Sequence, residues 1–375
     1  MPAALGDQRH LFSMPGDVTY LNCAYLGPQL RSVTEAGLAA VREKELPWYV
    51  TPDKFFSGSE ALRQTFATLL GADVEGVAFV PSVSYGVGVA AANLPLDGRA
   101  VLLVDEDFPS DVYPWTAAAR GSVVLVPRPA DHDWTAAILD RIDANVGVVA
   151  VPQVHWTDGG LVDLVRVGAA ARSVGAALVV DATQSLGAMP FDVAAIQPDF
   201  VVAAGYKWLL GPYALGYLWA APHRRDGVPL EQNWIGREGS DDFARLIDYR
   251  ETYQPGARRY DMGERSNFTL VPMARAALTQ LVEWGVPRVA DTIAGLTSYL
   301  AIGAEKIGLE TAPEHLRGPH MIGLRFPGGL PDGLADSLAA QRVYVSIRGD
   351  SVRVSPHVYN STADCDRLLA ALAQG

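Results

Sequence analysis

Two charged residues stand where apolar strand patterns stop. In Ala177–Pro212 (ALVVDATQSLGAMPFDVAAIQPDFVVAAGYKWLLGP), the run Leu178–Val180 ends on Asp181, with Gln184 three residues later. The run Phe200–Ala203 leads into Gly205-Tyr206-Lys207. A lysine is almost never fully buried unless it is paired or used. A desolvated amine loses its proton more readily and becomes a nucleophile, able to form a Schiff base with a carbonyl compound. An acid at the neighbouring strand end would serve the far side of the same group. In a pyridoxal phosphate (PLP) site, such a carboxylate keeps the pyridine nitrogen protonated, so that the ring accepts carbanion charge. The same two residues also fit a plainer reading, with Asp181 capping a turn and Lys207 reaching solvent.

The surrounding pattern places both residues at one edge of a sheet. Residues 1–30 read as an irregular arm with a turn at Gly27-Pro28. Helices are predicted over Ser32–Glu45 and Ser59–Leu70, the second stopped by Gly71. Strands Val77–Val80, Val101–Val104, Val123–Val126 and Val146–Val151 then alternate with helices over Tyr85–Asn93, Tyr113–Ala119 and Thr135–Ile142. A helix over Leu161–Ser173 leads into the strands of Asp181 and Lys207, and a further strand is predicted over Leu215–Ala221. This βα alternation of near-continuous apolar strands predicts an α/β fold built on a large, mostly parallel sheet covered on both faces. Ligands of such sheets sit at the carboxyl ends of the strands. Residues 223–266 are polar and irregular. Helical periodicity returns over Pro272–Trp284 and from Arg288 to about Gly303. Strand Gly323–Phe326, helix Leu334–Gln341, strands Val343–Ile347 and Ser351–Ser355, and helix Ala363–Leu372 follow as a small α+β unit. The expected organisation is an arm (1–30), a large α/β domain (31–270), and a linker helix with a small C-terminal domain (271–375).

Pro81-Ser82-Val83-Ser84 lies between a strand and a helix. A serine there caps the helix, and the free N–H groups make an anion site suited to a phosphate, or simply an ordinary cap. Gly86-Val87-Gly88-Val89-Ala90-Ala91 has the form of a dinucleotide fingerprint, with Asp105 ending the next strand. Its glycines, however, fall inside the helix rather than in the turn after the strand, which points to close helix–sheet packing.

Composition narrows the classes. The chain has 375 residues, 49% of them hydrophobic and 19% charged, which suits a large packed core and a second, smaller unit. A net charge of −12 argues against nucleic-acid or anionic-membrane binding. Two cysteines, Cys23 and Cys365, suit a reducing cytoplasm rather than a disulfide framework. The seven histidines show no metal-ligand spacing, and no signal peptide or bilayer-length apolar run is present, so no metal and no membrane partner are expected.

With these pieces placed, YLNCAYLGP through VRVSPHVYNS resembles the class V aminotransferase family of PLP-dependent transferases (fold type I, aspartate aminotransferase-like). That family includes cysteine desulfurases, isopenicillin N epimerase and kynureninase. The resemblance implies that Val83 and Ser84 meet the cofactor phosphate and that Phe108, in Asp107-Phe108-Pro109-Ser110-Asp111, stacks on the pyridine ring. A core aromatic is the alternative for Phe108. Asp181 would pair with the pyridine nitrogen, Gln184 would contact the ring hydroxyl, and Tyr206 would bond the phosphate. Lys207 would form the Schiff base and then carry the Cα proton. Trp234 (NWIGRE) and Asn267 (ERSNF) fall in stretches similar to those reaching the partner subunit's site, so a homodimer is implied. Arg353 is similar to the arginine that holds the substrate α-carboxylate, a task suited to a planar guanidinium; a surface strand arginine is the alternative. His155 and Trp156, in Val154-His155-Trp156-Thr157-Asp158-Gly159, follow a strand end on the cofactor edge and would lie near the substrate. A packed histidine fits His155 equally.

The implied function is that of a PLP-dependent enzyme acting on a primary α-amino acid as its small-molecule substrate. Cleavage or elimination at Cβ, as in kynureninase or a C–S lyase, is favoured, with transamination and then epimerisation as alternatives. Three departures bear on this. Ser346-Ile347-Arg348-Gly349-Asp350 holds no cysteine where desulfurases carry theirs. Gln184 stands where kynureninases commonly have histidine, and the DGNSLG-like kynureninase entry reads NCAYLG here. A non-catalytic PLP-binding regulator would bring a basic DNA-binding domain, for which this acidic chain leaves no room.

Overall fold

The computed structural model describes residues 4–119 and 122–374; residues 1–3 of the arm lie outside them. Among the described residues are twelve strands: β1 (Thr19–Tyr20), β2 (Val77–Val80), β3 (Ala100–Val104), β4 (Val123–Val126), β5 (Val146–Pro152), β6 (Ala177–Asp181), β7 (Phe200–Ala204), β8 (Gly216–Ala220), β9 (Ile322–Arg325), β10 (Val343–Tyr344), β11 (Ser346–Arg348) and β12 (Ser351–Val354). Seven of them form one sheet in the order β2-β8-β7-β6-β5-β3-β4. Within it β3 through β7 pair parallel, while β8 runs antiparallel to both β2 and β7.

The near-continuous apolar strands are explained by burial on both faces. Val77, Phe79, Leu102 and Val104 pack into one apolar cluster, and their alternating neighbours Ala78, Val80, Val101 and Leu103 pack into another. The helix Ser57–Leu70 presents Leu62, Phe66 and Leu70 at a spacing of four to the first face and ends on Gly71 at φ +67°. The helix Val83–Asn93 covers the second face. Gly86 lies in that helix, where a Cβ would stand 2.6 Å from Val202 Cγ1. Gly86 of the fingerprint-like stretch therefore serves helix–sheet packing, whereas Gly88 faces Leu230 in a loop.

A third apolar cluster gathers residues 296–372 around an antiparallel sheet ordered β11-β12-β9. The two long helices before it, Leu270–Trp284 and Val286–Lys306, are separated at Gly285 (φ +76°), with Pro287 in the first turn of the second. The run expected as one strand over Val343–Ile347 is broken at Val345 into β10 and β11. The break lets β10 pair in parallel with β1, so the arm is not irregular throughout. Leu21 joins the third cluster, and Asn22 bridges Ser355. The helix expected from Leu161 starts at Leu164, because Asp163 accepts from the Val165 and Arg166 N–H groups and caps it there.

No helix of the described residues is long and apolar enough to cross a membrane.

Candidate active site

The carboxyl ends of β5, β6 and β7 open onto a cavity of about 220 Å³ whose walls include Asp181, Lys207, Phe108, Val83, Gln184, Tyr206 and Trp156. The parallel register explains part of this convergence. Pro152 pairs with Asp181, and Asp181 with Val202, so one transverse line of the sheet carries the acid and points to the loop of the lysine. That loop departs through Gly205, where a Cβ would fall 2.4 Å from the Leu215 carbonyl. Leu210 (φ +53°) and Ala214 (φ +64°) then take left-handed conformations that side-chain-bearing residues adopt at a cost.

Lys207 is buried, with Nζ 5.3 Å from the Phe108 ring centre and 5.8 Å from that of Tyr206. Burial drives its amine down to about 8; the Asp181 charge opposes this, and Arg353 and Arg348 add to it. The arm presses on the same loop. Gly27 donates its N–H to the Tyr206 carbonyl at 2.9 Å, and a Cβ at Gly27 would lie 2.2 Å from the Lys207 carbonyl oxygen.

Asp181 Oδ1 accepts the Thr183 N–H at 2.8 Å. Two further acids stand beside it. Asp111 is buried, and neither of its carboxyl oxygens has a hydrogen-bond partner among the described residues. Burial first, then the charges of Asp181 and Asp107, push its carboxyl far above the ordinary range. Asp107 is raised in the same way by burial and by Asp181, against the Phe108 N–H bonded to it at 2.7 Å. Sequence reasoning quoted both acids within DFPSD without giving them a role. Asp111 falls in the first turn of the helix Pro109–Ala119 and Asp107 two residues ahead of it.

Across the cavity, Ser82 caps the helix Val83–Asn93: its Oγ accepts the Tyr85 N–H at 3.2 Å and lies 3.0 Å from Ser84 Oγ. Val83 and Ser82 line the cavity, while Ser84 itself is exposed and outside the lining. The Gln184 side chain is already engaged, with Nε2 on the Ala24 carbonyl and Oε1 receiving Trp208 Nε1 at 2.9 Å.

Arg353 lines an adjoining cleft of about 440 Å³ that shares Lys207, Phe108, Trp156 and Tyr206 with the cavity. It is buried, gives Nη1 to the Trp156 carbonyl at 2.6 Å and Nη2 to Ser346 Oγ at 3.4 Å, and has no partner for Nε among the described residues. A solvent-facing strand arginine is thereby ruled out. Trp156 is fixed by Nε1 on the Glu106 carbonyl at 2.7 Å and packs edge-on to Phe108.

His155 points into the wall behind the cavity instead. It stacks on Trp134 at 4.7 Å, and its ring nitrogens meet Thr157 Oγ1 at 2.8 Å and the Asp105 carbonyl at 3.1 Å. The packed-histidine alternative describes it. Trp234 and Asn267 are also outside the cavity of this chain. Trp234 belongs to an edge-to-face aromatic group with Phe55, Phe56 and Phe243. Asn267 Oδ1 accepts the Thr269 and Leu270 N–H groups at the start of the helix Leu270–Trp284. Cys23 and Cys365 are unpaired and buried, and burial raises both thiols, which makes them poor nucleophiles.

The donor set fits PLP: a helix start for the phosphate, an aromatic face over the amine, a carboxylate at a strand end and a buried guanidinium with no carboxylate partner among the described residues. A sequence model of the Aminotransferase class-V family matches residues 51–368. The chain belongs to that family. It is 29% identical over 323 residues to an uncharacterized aminotransferase, YcbU, of Bacillus subtilis, covering 84% of this chain and 83% of that one. It is 32% identical over 280 residues to a kynureninase of Deinococcus radiodurans, covering 69% and 64%. Among solved structures, a C-DES variant with glycine covalently linked to its PLP cofactor superposes with a TM-score of 0.86 at 19% identity, over 98% of this chain and 99% of that one. The fold is that of the fold-type-I PLP enzymes, the protein is an enzyme of this family, and its cofactor is PLP.

Proposed function

We propose that the protein acts on an α-amino acid, and that Lys207 both holds the cofactor and moves the Cα proton. When bound, PLP supplies an electron sink for charge developing at Cα. The chain's residues do the rest. The helix start at Val83, with its unpaired N–H groups, receives the phosphate. Phe108 stacks on the ring, and Asp181 fixes the ring nitrogen. Asp107 and Asp111, whose carboxyls burial pushes upward, stand beside Asp181. Arg353 binds the α-carboxylate and so turns Cα toward Lys207. The observation that carries this reading is one buried amine, lowered to about 8, between a ring slot on one side and a buried guanidinium whose Nε has no partner among the described residues on the other.

Cβ cleavage or elimination is favoured by the likeness to a kynureninase, and transamination is the second reading, favoured by the likeness to YcbU. Visible absorption of the PLP-loaded protein with a panel of amino acids, followed by product analysis, tests both. Release of a side-chain fragment supports Cβ chemistry. A pyridoxamine form together with a keto acid makes the protein a transaminase. Full turnover by Lys207→Ala would sink the assignment of the amine.

We also infer a cytoplasmic homodimer divided as expected above, into a large domain over 31–270 and a small one over 271–375. The exposed side chains Trp48, Tyr49, Ile247 and Tyr249 support contact with a second copy, with Trp234 and Asn267 directed toward the partner's site. Sedimentation of the loaded protein tests the dimer.

A further inference from the structure

The cleft around Arg353 holds a second guanidinium that the reading above leaves unused. Arg348 ends β11, and β11 pairs antiparallel with β12, the strand of Arg353, with Ser346 opposite Arg353 and Arg348 opposite Ser351. The Arg348 Cζ lies 5.4 Å from the centre of the Trp156 ring. Trp156 therefore seats both cations, Arg348 on its ring and Arg353 on its carbonyl oxygen. Arg348 lines the same 440 Å³ cleft as Lys207 and Phe108. Its Nε, like that of Arg353, is buried and unbonded among the described residues.

The nearby acids are taken. Asp350 is paired with Arg325 at 3.0 Å, Glu106 with Arg128 at 2.7 Å, and Asp158 with Arg128. Two partly desolvated cations facing one cleft without a carboxylate repel each other, and such an arrangement is costly unless a ligand brings the anions. The α-carboxylate of an amino acid accounts for one. The other cation calls for a second anionic group on the same molecule. Arg348 Nη1 donates to the Ile347 carbonyl at 2.7 Å, and a guanidinium stacked on an indole keeps its remaining edge donors for a carboxylate, so the stacking positions Arg348 without occupying them.

We propose that Arg348, seated on Trp156, is a specificity-determining residue that binds an anionic group, a carboxylate in the simplest case, on the side chain of the amino-acid substrate. This rests on the assignment of Arg353 to the α-carboxylate. A neutral side chain leaves the Arg348 charge unpaired, so the site discriminates between an acid and its amide, which differ little in size.

The test titrates the PLP-loaded protein with L-aspartate, L-glutamate and L-2-aminoadipate and with the side-chain amide of each. Binding is read by calorimetry and by the visible absorption of the cofactor. At least one acid binds tenfold or more tightly than its amide. That ratio falls to about one in Arg348→Gln, and Arg348→Lys retains part of it. Arg353→Gln weakens acid and amide alike. Ratios near one for all three pairs in the wild type overturn the inference, as does a preference that survives in Arg348→Gln. A protein that takes up PLP and responds to L-alanine but ignores side-chain charge refutes this inference alone. A protein that takes up no PLP, or whose absorption responds to no amino acid, refutes the reading beneath it as well.

Discussion

Burial of Lys207 sets how fast the apoprotein captures its cofactor, because only the neutral amine attacks an aldehyde. An ordinary lysine near 10.5 is neutral to about 0.03% at pH 7, whereas one lowered to about 8 is neutral to about 9%, a gain of about 300-fold. The cause is desolvation in a pocket walled by Phe108 and Tyr206, assisted by the cations Arg353 and Arg348 and opposed by Asp181. Capture of PLP by the apoprotein, followed by stopped-flow absorbance from pH 6 to pH 10, therefore rises about tenfold per pH unit at first and levels off near pH 8. Replacing the opposing charge, as in Asp181→Asn, moves the break to lower pH; Arg353→Gln moves it higher. A rate that climbs without a break to pH 10 would refute the argument from burial. A break that ignores both substitutions would leave desolvation standing and remove the charges from the account.

Three further expectations rest on other parts of the molecule. Asp261 is buried between two buried arginines, accepting Arg63 Nη2 at 2.8 Å, Arg265 Nη1 at 2.6 Å and the Phe79 N–H of β2 at 2.7 Å. Asp261→Asn leaves those cations under-compensated and lowers stability by about 3–5 kcal/mol in urea unfolding; a loss below about 1 kcal/mol would contradict this. Gly27→Ala drives a methyl group into the Lys207 carbonyl, costs about 1–3 kcal/mol and weakens PLP retention in equilibrium dialysis. His320 and His357 are buried beside Trp208 and held at about 4 and about 3 by burial. Below about pH 6.5 the unfolded chain takes up protons that the folded one refuses, so stability falls as pH drops toward 4; in His357→Phe the unfolding curves flatten over that range.

What could be read from the chain alone was local. Asp181 and Lys207 were legible because each ends an apolar run, and the sheet register then brings those two ends together. The capping serine before the helix Val83–Asn93 was legible for the same reason. Arg348 was not, because its seat on Trp156 depends on the β11–β12 hairpin reaching across 192 positions of sequence to the loop after β5. Asp111 lay in a motif already singled out, yet its isolation from every donor exists only in the packed structure. His155 stayed open between substrate and core because a strand end shows where a loop begins and not which wall its side chain joins; the side chain stacks on Trp134. The reversed direction of β8 carries no local signature, since an apolar run reads alike in either orientation.

The pairing of β1 with β10 has a consequence for the order in which the molecule assembles. Residues near 20 meet residues near 345 through Thr19↔Val343, through Ser346 Oγ on Asn22 Oδ1 at 2.8 Å, and through Cys23 N–H on the Ser355 carbonyl at 3.0 Å. Closing a loop of more than 300 residues carries an entropy penalty of about 5 kcal/mol before any contact repays it. The seven-stranded sheet, whose neighbours in space are mostly near in sequence, thus forms ahead of this seam. Lys207 and Asp181 are set down early on an open platform, and the arm of Gly27 and the hairpin of Arg353 arrive together as its last walls. A chain not yet synthesised through β12 therefore holds the reactive amine beside Phe108 and Tyr206 but without Arg348 and Arg353, the cations that lower it further.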